Sequence, residues 1–219
     1  MMEKTSSSDA LYRWALVLAV ITVFYNILEG LVSVYFGFED DALSLFGFGL
    51  DSFVEAVSGV GVWHMAVRIR QNPNGSSDVF ERQTLKITGG AFYILAAGLT
   101  ASSVLNIIQG KHPQTAFWGI VISCISILAM WLLVHYKMKV ARQLNSQAML
   151  SDAACGRTCI YLSVVLLLGS VGYALTGIGW FDSAGAMIIA ALSYKEGREA
   201  IGKARGKLCC CGNSCASQK

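Results

Sequence analysis

The chain has 219 residues, of which 54% are hydrophobic and only 14% are charged. Soluble domains carry roughly one-quarter charged residues, so this composition excludes an ordinary water-soluble fold. The formal net charge of +3 comes from residues between the apolar segments, and we draw no inference of nucleic-acid binding from it.

Six apolar runs follow one another along the chain, each near the ~20 residues that a helix needs to cross the hydrocarbon core. Turn and charge signals separate them. We therefore predict an all-α membrane protein with six transmembrane helices in one domain, residues 11–201, between a cytoplasmic N-terminus, residues 1–10, and a cytoplasmic cysteine-rich tail, residues 202–219. The runs are Leu11–Phe38, Ala42–Val67, Leu85–Gln109, Thr115–Tyr136, Met149–Thr176 and Phe181–Ala200.

The basic residues set the predicted orientation of these spans. With both termini cytoplasmic, only Lys111 of the 17 Lys and Arg residues lies on the far side, and Lys137, Lys139 and Arg142 fall in a cytoplasmic connection. The first run is too long for a signal-peptide core, so we expect it to be retained. The predicted location is a cell membrane, either a plasma membrane or a bacterial inner membrane, with multiple spans.

Ionisable side chains inside the spans are functional candidates, because each costs about 2.5 to 3.5 kcal/mol to place at membrane depth. The second span contains Asp51 and Glu55, four residues apart and therefore on one face of a helix. Two stacked carboxylates repel each other unless a proton or a cation lies between them. A proton relay or a structural hydrogen-bonded pair is the alternative interpretation.

The fifth span contains Cys155 and Cys159 at the same spacing of four. If the second and fifth helices pack together, two carboxylates and two thiolates converge, a set that suits tetrahedral zinc or a softer divalent ion. Taken alone, the two cysteines are better explained by the packing of small buried side chains. The presence of both pairs at one spacing favours a metal site.

Two further acidic residues lie in or near the spans. Glu29, close to Asn26 in the first span, is an accessory candidate that binds the ion in transit, shuttles a proton or bonds to a neighbouring helix. Asp182 precedes the sixth span, where we expect it to cap the start of that helix.

The C-terminal tail contains a dense cluster of thiols. A flexible cluster of this kind would capture soft cations in the cytoplasm. The competing interpretation is S-acylation, because the cluster follows a basic juxtamembrane segment. The tail cysteines are Cys209, Cys210, Cys211 and Cys215.

These motifs resemble those of the cation diffusion facilitators, whose six-helix membrane domains bind metal through residue pairs on the second and fifth helices. The stretch Asp51-Ser-Phe-Val-Glu55 is similar to the family's second-helix motif, and Cys155-Gly-Arg-Thr-Cys159 resembles its fifth-helix motif with cysteines in place of histidine and aspartate. Trp180-Phe-Asp182 is similar to the family's sixth-helix start. We expect the branch that lacks the family's cytoplasmic C-terminal domain.

The resemblance implies a homodimer that exchanges a cytoplasmic metal ion for an external proton, with the lipid bilayer as its environment. We expect zinc, or else cadmium, mercury or lead, as cargo, no permanently bound cofactor and no enzymatic activity. The alternative is a membrane thiol–disulfide redox protein. That alternative leaves Asp51 and Glu55 unexplained, and cysteines four apart on a helix reach disulfide distance only with distortion.

Overall fold

The computed structural model describes residues 3–71, 78–110, 113–144 and 147–205. These residues form six α-helices and no strand, so the all-α prediction is confirmed. Each predicted span coincides with one helix. The helices are α1, Glu3–Glu39; α2, Leu43–Gln71; α3, Asp78–Gln109; α4, Phe117–Leu144; α5, Gln147–Thr176; and α6, Trp180–Ala204.

Polar side chains lie inside the bundle, and apolar side chains cover its outer surface. Asn26, Ser52 and Ser126 are at most 1% exposed, whereas Ile94 is 77% and Leu168 is 65% exposed. A soluble protein has the opposite arrangement. In a bilayer, lipid contacts the apolar surface, and buried polar groups find their partners within the bundle. The distribution is that of an integral multi-pass membrane protein.

Among the described residues, α1 to α5 each hold a segment long and apolar enough to cross a membrane. The sixth helix is not among them, because charged residues crowd its second half, from Lys195 to Lys203. It nevertheless has 25 residues, which span about 37 Å at 1.5 Å per residue. Its contacts with α2 show that it runs through the bundle with the other helices.

Asp182 connects the beginnings of α2 and α6. Its carboxylate accepts hydrogen bonds from the backbone N–H groups of Leu43, at 2.9 Å, and Ser44, at 3.1 Å, and from the Ser44 hydroxyl. The expectation that Asp182 caps its own helix was therefore wrong: it caps α2. The negative charge lies where the α2 dipole is positive, and the two helices start at the same end of the bundle.

The connections between helices also meet at this end. The backbone N–H of Gln114 donates to the Asp40 carbonyl oxygen at 2.8 Å, and the Thr115 hydroxyl donates to the Asp40 carboxylate at 3.1 Å. The Tyr173 hydroxyl, near the end of α5, donates to the Pro113 carbonyl oxygen. The α1–α2 and α3–α4 connections and the end of α5 thus share one side, as alternating spans require.

The second helix is the centre of the bundle and packs against α1, α3, α5 and α6. Its approach to α1 depends on glycine: a Cβ atom at Gly49 would lie 2.8 Å from the backbone nitrogen of Val34 and 2.8 Å from the Ser33 Cβ. Backbone cannot yield as a flexible side chain does, so only glycine fits this contact.

A layer of apolar side chains fills the bundle between the Asp182 end and the middle of the spans. Its largest members come from α2, α5 and α6, and all are at most 1% exposed. They are Leu45, Phe48, Leu162, Leu166 and Ile189. This layer is closely packed apolar core.

The close contact at Gly49 generates a stability prediction. Gly49→Ala should lower the free energy of unfolding by about 1 to 3 kcal/mol, because the added methyl group forces α1 and α2 apart. The midpoint of thermal unfolding in detergent measures the effect. Gly98→Ala is the matched control, since a Cβ atom at that helical glycine meets nothing within 4 Å. Equal midpoints for the two variants would contradict the predicted packing.

Candidate functional site

Asp51 and Glu55 lie on the face of α2 that points into the bundle. Asp51 is 1% exposed, and its Oδ1 accepts a hydrogen bond from the Ser193 hydroxyl of α6 at 3.2 Å. Glu55, one turn further along, is half-buried, and its Oε2 accepts a bond from Asn26 Nδ2 of α1 at 3.3 Å. Each carboxylate is therefore held by a neutral donor from a neighbouring helix.

The fifth helix brings a thiol to the same place. Cys159 is fully buried, and its thiol lies close enough to the Glu55 carboxylate for the two groups to interact electrostatically. The second and fifth helices thus meet at Glu55 and Cys159. Cys155 lies one turn earlier in α5, and its side chain is outside the described part of the structure.

A cavity of about 40 Å³ lies beside these residues, roughly enough for a small ion with one or two waters. All six helices contribute to its walls. Its charged lining consists of Asp51, Glu55, Lys137 and Glu196. Its neutral polar lining consists of Thr22, Asn26 and Thr158.

Glu196 belongs to α6 and is fixed by α5. Its Oε1 accepts a hydrogen bond from the Thr158 hydroxyl at 3.0 Å. This places a third carboxylate in the cavity, close enough to Asp51 for the two charges to interact. The three carboxylates and the Lys137 ammonium would together carry two formal negative charges if all were ionised, the charge that one divalent cation neutralises.

Glu29 takes part in a separate hydrogen-bond network. Its Oε1 accepts from the Tyr25 hydroxyl at 2.8 Å, and its Oε2 accepts from the Ser52 hydroxyl at 3.0 Å. Of the three roles considered for Glu29, the structure shows the bond to a neighbouring helix. A direct role in metal binding stays a prediction.

The comparison with known proteins agrees with this architecture. The sequence profile of the cation efflux transmembrane domain matches residues 15–209. The chain belongs to the cation efflux family. An uncharacterised transporter of Methanocaldococcus jannaschii is 25% identical over 181 residues, which cover 80% of this chain and 63% of the relative. The chain thus corresponds to less than two thirds of that relative's length.

The resemblance to the cation diffusion facilitators is therefore confirmed, whereas the ligand set within this cation efflux domain stays a prediction. Within residues 3–71, 78–110, 113–144 and 147–205, no three His, Cys, Asp or Glu side chains are arranged to hold a metal ion. Asp51 and Glu55 point to the donors named above, and a bound cation would have to displace those donors. The tail cysteines, Cys209, Cys210, Cys211 and Cys215, lie outside the described residues.

Sequence reasoning missed two cavity residues, Lys137 and Glu196. Placing Lys137 in a cytoplasmic connection was wrong, because α4 continues to Leu144 and Lys137 is only 6% exposed. The helical spacing of inward-facing residues along α4 and α6 could have indicated that both side chains face the interior of the bundle. Lys137 continues the buried stripe that includes Met130 and Val134, and Glu196 follows Ser193 by three residues on the inner face of α6.

The Glu29 network generates a prediction that separates structure from ion binding. Glu29→Ala should lower the free energy of unfolding by about 1 to 3 kcal/mol, since the Tyr25 hydroxyl loses its acceptor and the Ser52 hydroxyl keeps only the Phe48 carbonyl oxygen. Glu29→Gln retains one acceptor oxygen, so its free energy of unfolding should lie between those of the wild-type protein and Glu29→Ala. Thermal unfolding in detergent without added metal checks both variants. If Glu29→Ala unfolds at the wild-type midpoint, the network has no structural role.

Proposed function

We propose that this protein carries a divalent heavy-metal cation out of the cytoplasm through the cavity between α2 and α5. Zinc is the first candidate, and cadmium, mercury and lead are the softer ones. The observation that carries the proposal is a cavity at membrane depth lined by the carboxylates of Asp51, Glu55 and Glu196, with the Cys159 thiol buried beside Glu55. Family membership and the name of the archaeal relative, a transporter, support it.

The chemistry of the side chains supports a heavy metal over magnesium or calcium. Carboxylate oxygens and a thiolate form a mixed donor set that suits zinc and softer ions, whereas hard cations take oxygen ligands alone. Asn26 and Ser193 occupy the carboxylate oxygens with neutral hydrogen bonds.

The direction of loading follows from the asymmetry of the bundle. The cavity lies on the Lys137 and Glu196 side of Asp51, and the apolar layer that contains Phe48 and Leu166 lies on the other. The positive-inside rule assigns the Lys137 side to the cytoplasm. An ion would therefore load from the cytoplasm, and its release would require that the apolar layer open.

Proton exchange and a homodimer complete the proposal and rest on the family resemblance. Metal and protons compete for the same lone pairs, so protonation of the ligands from outside would release the ion. The redox alternative fits less well. Cys159 is fully buried beside Glu55, whereas a redox thiol needs access to its reaction partner.

Metal flux in proteoliposomes with a pH gradient tests this function. Asp51→Asn and Cys159→Ser should each lower the rate of zinc uptake at least about tenfold, because each removes a ligand. Cys124→Ser is the matched control, since Cys124 is an exposed cysteine of α4 outside the cavity.

The cysteine variant also tests the donor set. Cys159→Ser should reduce cadmium transport more than zinc transport, because the softer ion depends more on sulfur. The proposal fails if the wild-type protein transports neither zinc, cadmium nor mercury, or if Asp51→Asn and Cys159→Ser both keep the wild-type rate.

A further inference from the structure

Lys137 is a cationic side chain inside a site proposed to bind cations. It lies on the inner stripe of α4, is 6% exposed and forms part of the cavity wall. Its charge interacts with the Glu55 carboxylate. Lys139, two residues further along the same helix, is exposed. The burial of Lys137 is thus specific to its position and does not extend to its basic neighbour.

A buried lysine has an electrostatic cost that its surroundings must offset. The carboxylates of Glu55, Glu196 and Asp51 line the same cavity and supply the opposite charge. Conversely, these carboxylates repel one another when no cation is present, and the lysine ammonium reduces that repulsion. Lysine suits the role because it is a compact point charge on a long, flexible stem.

We infer that Lys137 is a built-in counter-cation, which neutralises the carboxylates of the empty cavity and weakens the binding of the divalent cargo. This inference rests on the proposed transport function. An arriving dication meets the ammonium as a like charge and competes with it for Glu55. Transport requires binding strong enough for capture and weak enough for release, and Lys137 lowers the affinity toward that range.

The test is a comparison of metal affinity among variants of the full-length protein in detergent, with cadmium as the probe in isothermal titration calorimetry. Lys137→Met should bind cadmium at least about tenfold more tightly than the wild-type protein, because a like charge has been removed from a site of low dielectric. Lys137→Arg keeps the charge and should stay within about threefold of the wild type. Lys139→Met is the matched control and should not change the affinity.

Transport rates provide a second readout that a structural role would not produce. At saturating cadmium, Lys137→Met should transport more slowly than the wild-type protein because release becomes limiting. If Lys137→Met does not purify as a folded protein, the same comparison is made in a protein whose Glu196 carboxylate has also been replaced by a neutral amide. The double variant Lys137→Met, Glu196→Gln should then bind cadmium at least about tenfold more tightly than Glu196→Gln alone.

The outcomes separate this inference from the function on which it rests. Wild-type protein that binds no cadmium, zinc or mercury would overturn the proposed function itself. Wild-type protein that binds cadmium, together with a Lys137→Met variant of equal or weaker affinity, would overturn the counter-cation role alone. If Lys139→Met also bound cadmium tenfold more tightly, the gain would be an effect of general surface charge. That result would also overturn the counter-cation role of Lys137.

Discussion

A polar group buried within the membrane costs free energy unless it finds a partner inside the protein, because hydrocarbon supplies no hydrogen bonds and solvates no charge. This constraint explains why the bundle is polar within and apolar outside. It also explains why Asp51, Glu55 and Glu196 each accept a bond from a residue of another helix. The same bonds that satisfy the carboxylates connect α1, α2, α5 and α6, so the fold and the site depend on one set of interactions.

The central position of α2 makes this arrangement possible. Its glycines allow close contact with α1, its first turn is capped by Asp182 of α6, and its inner face presents Asp51 and Glu55 to the cavity. A displacement of α2 would therefore change the far-side contacts and the site together. Alternating access requires such coupling between the two ends of a transporter.

The sequence predicted the fold well because the apolar runs are long and clearly separated, and α-helices are the only open-chain elements that satisfy their own backbone in lipid. The metal site at Asp51, Glu55, Cys155 and Cys159 stays a prediction, although the second and fifth helices do pack together. Sequence reasoning placed Lys137 and Asp182 incorrectly, because hydropathy ends a span at the first charged residue, and which helix end accepts a cap depends on tertiary packing. Glu196 lies inside the predicted sixth run and was missed for another reason: it stands among exposed charged residues such as Lys195 and Arg198, and only tertiary packing shows that it faces inward.

The most direct test of the cation site is X-ray absorption spectroscopy of the zinc-loaded protein, with Cys209, Cys210, Cys211 and Cys215 replaced by serine so that tail sulfur does not contribute. We predict a first shell that contains both oxygen, at about 2.0 Å, and sulfur, at about 2.3 Å. The sulfur signal should fall in Cys159→Ser and persist in Cys124→Ser. A shell of oxygen and nitrogen alone in the protein that retains Cys159 would contradict the account.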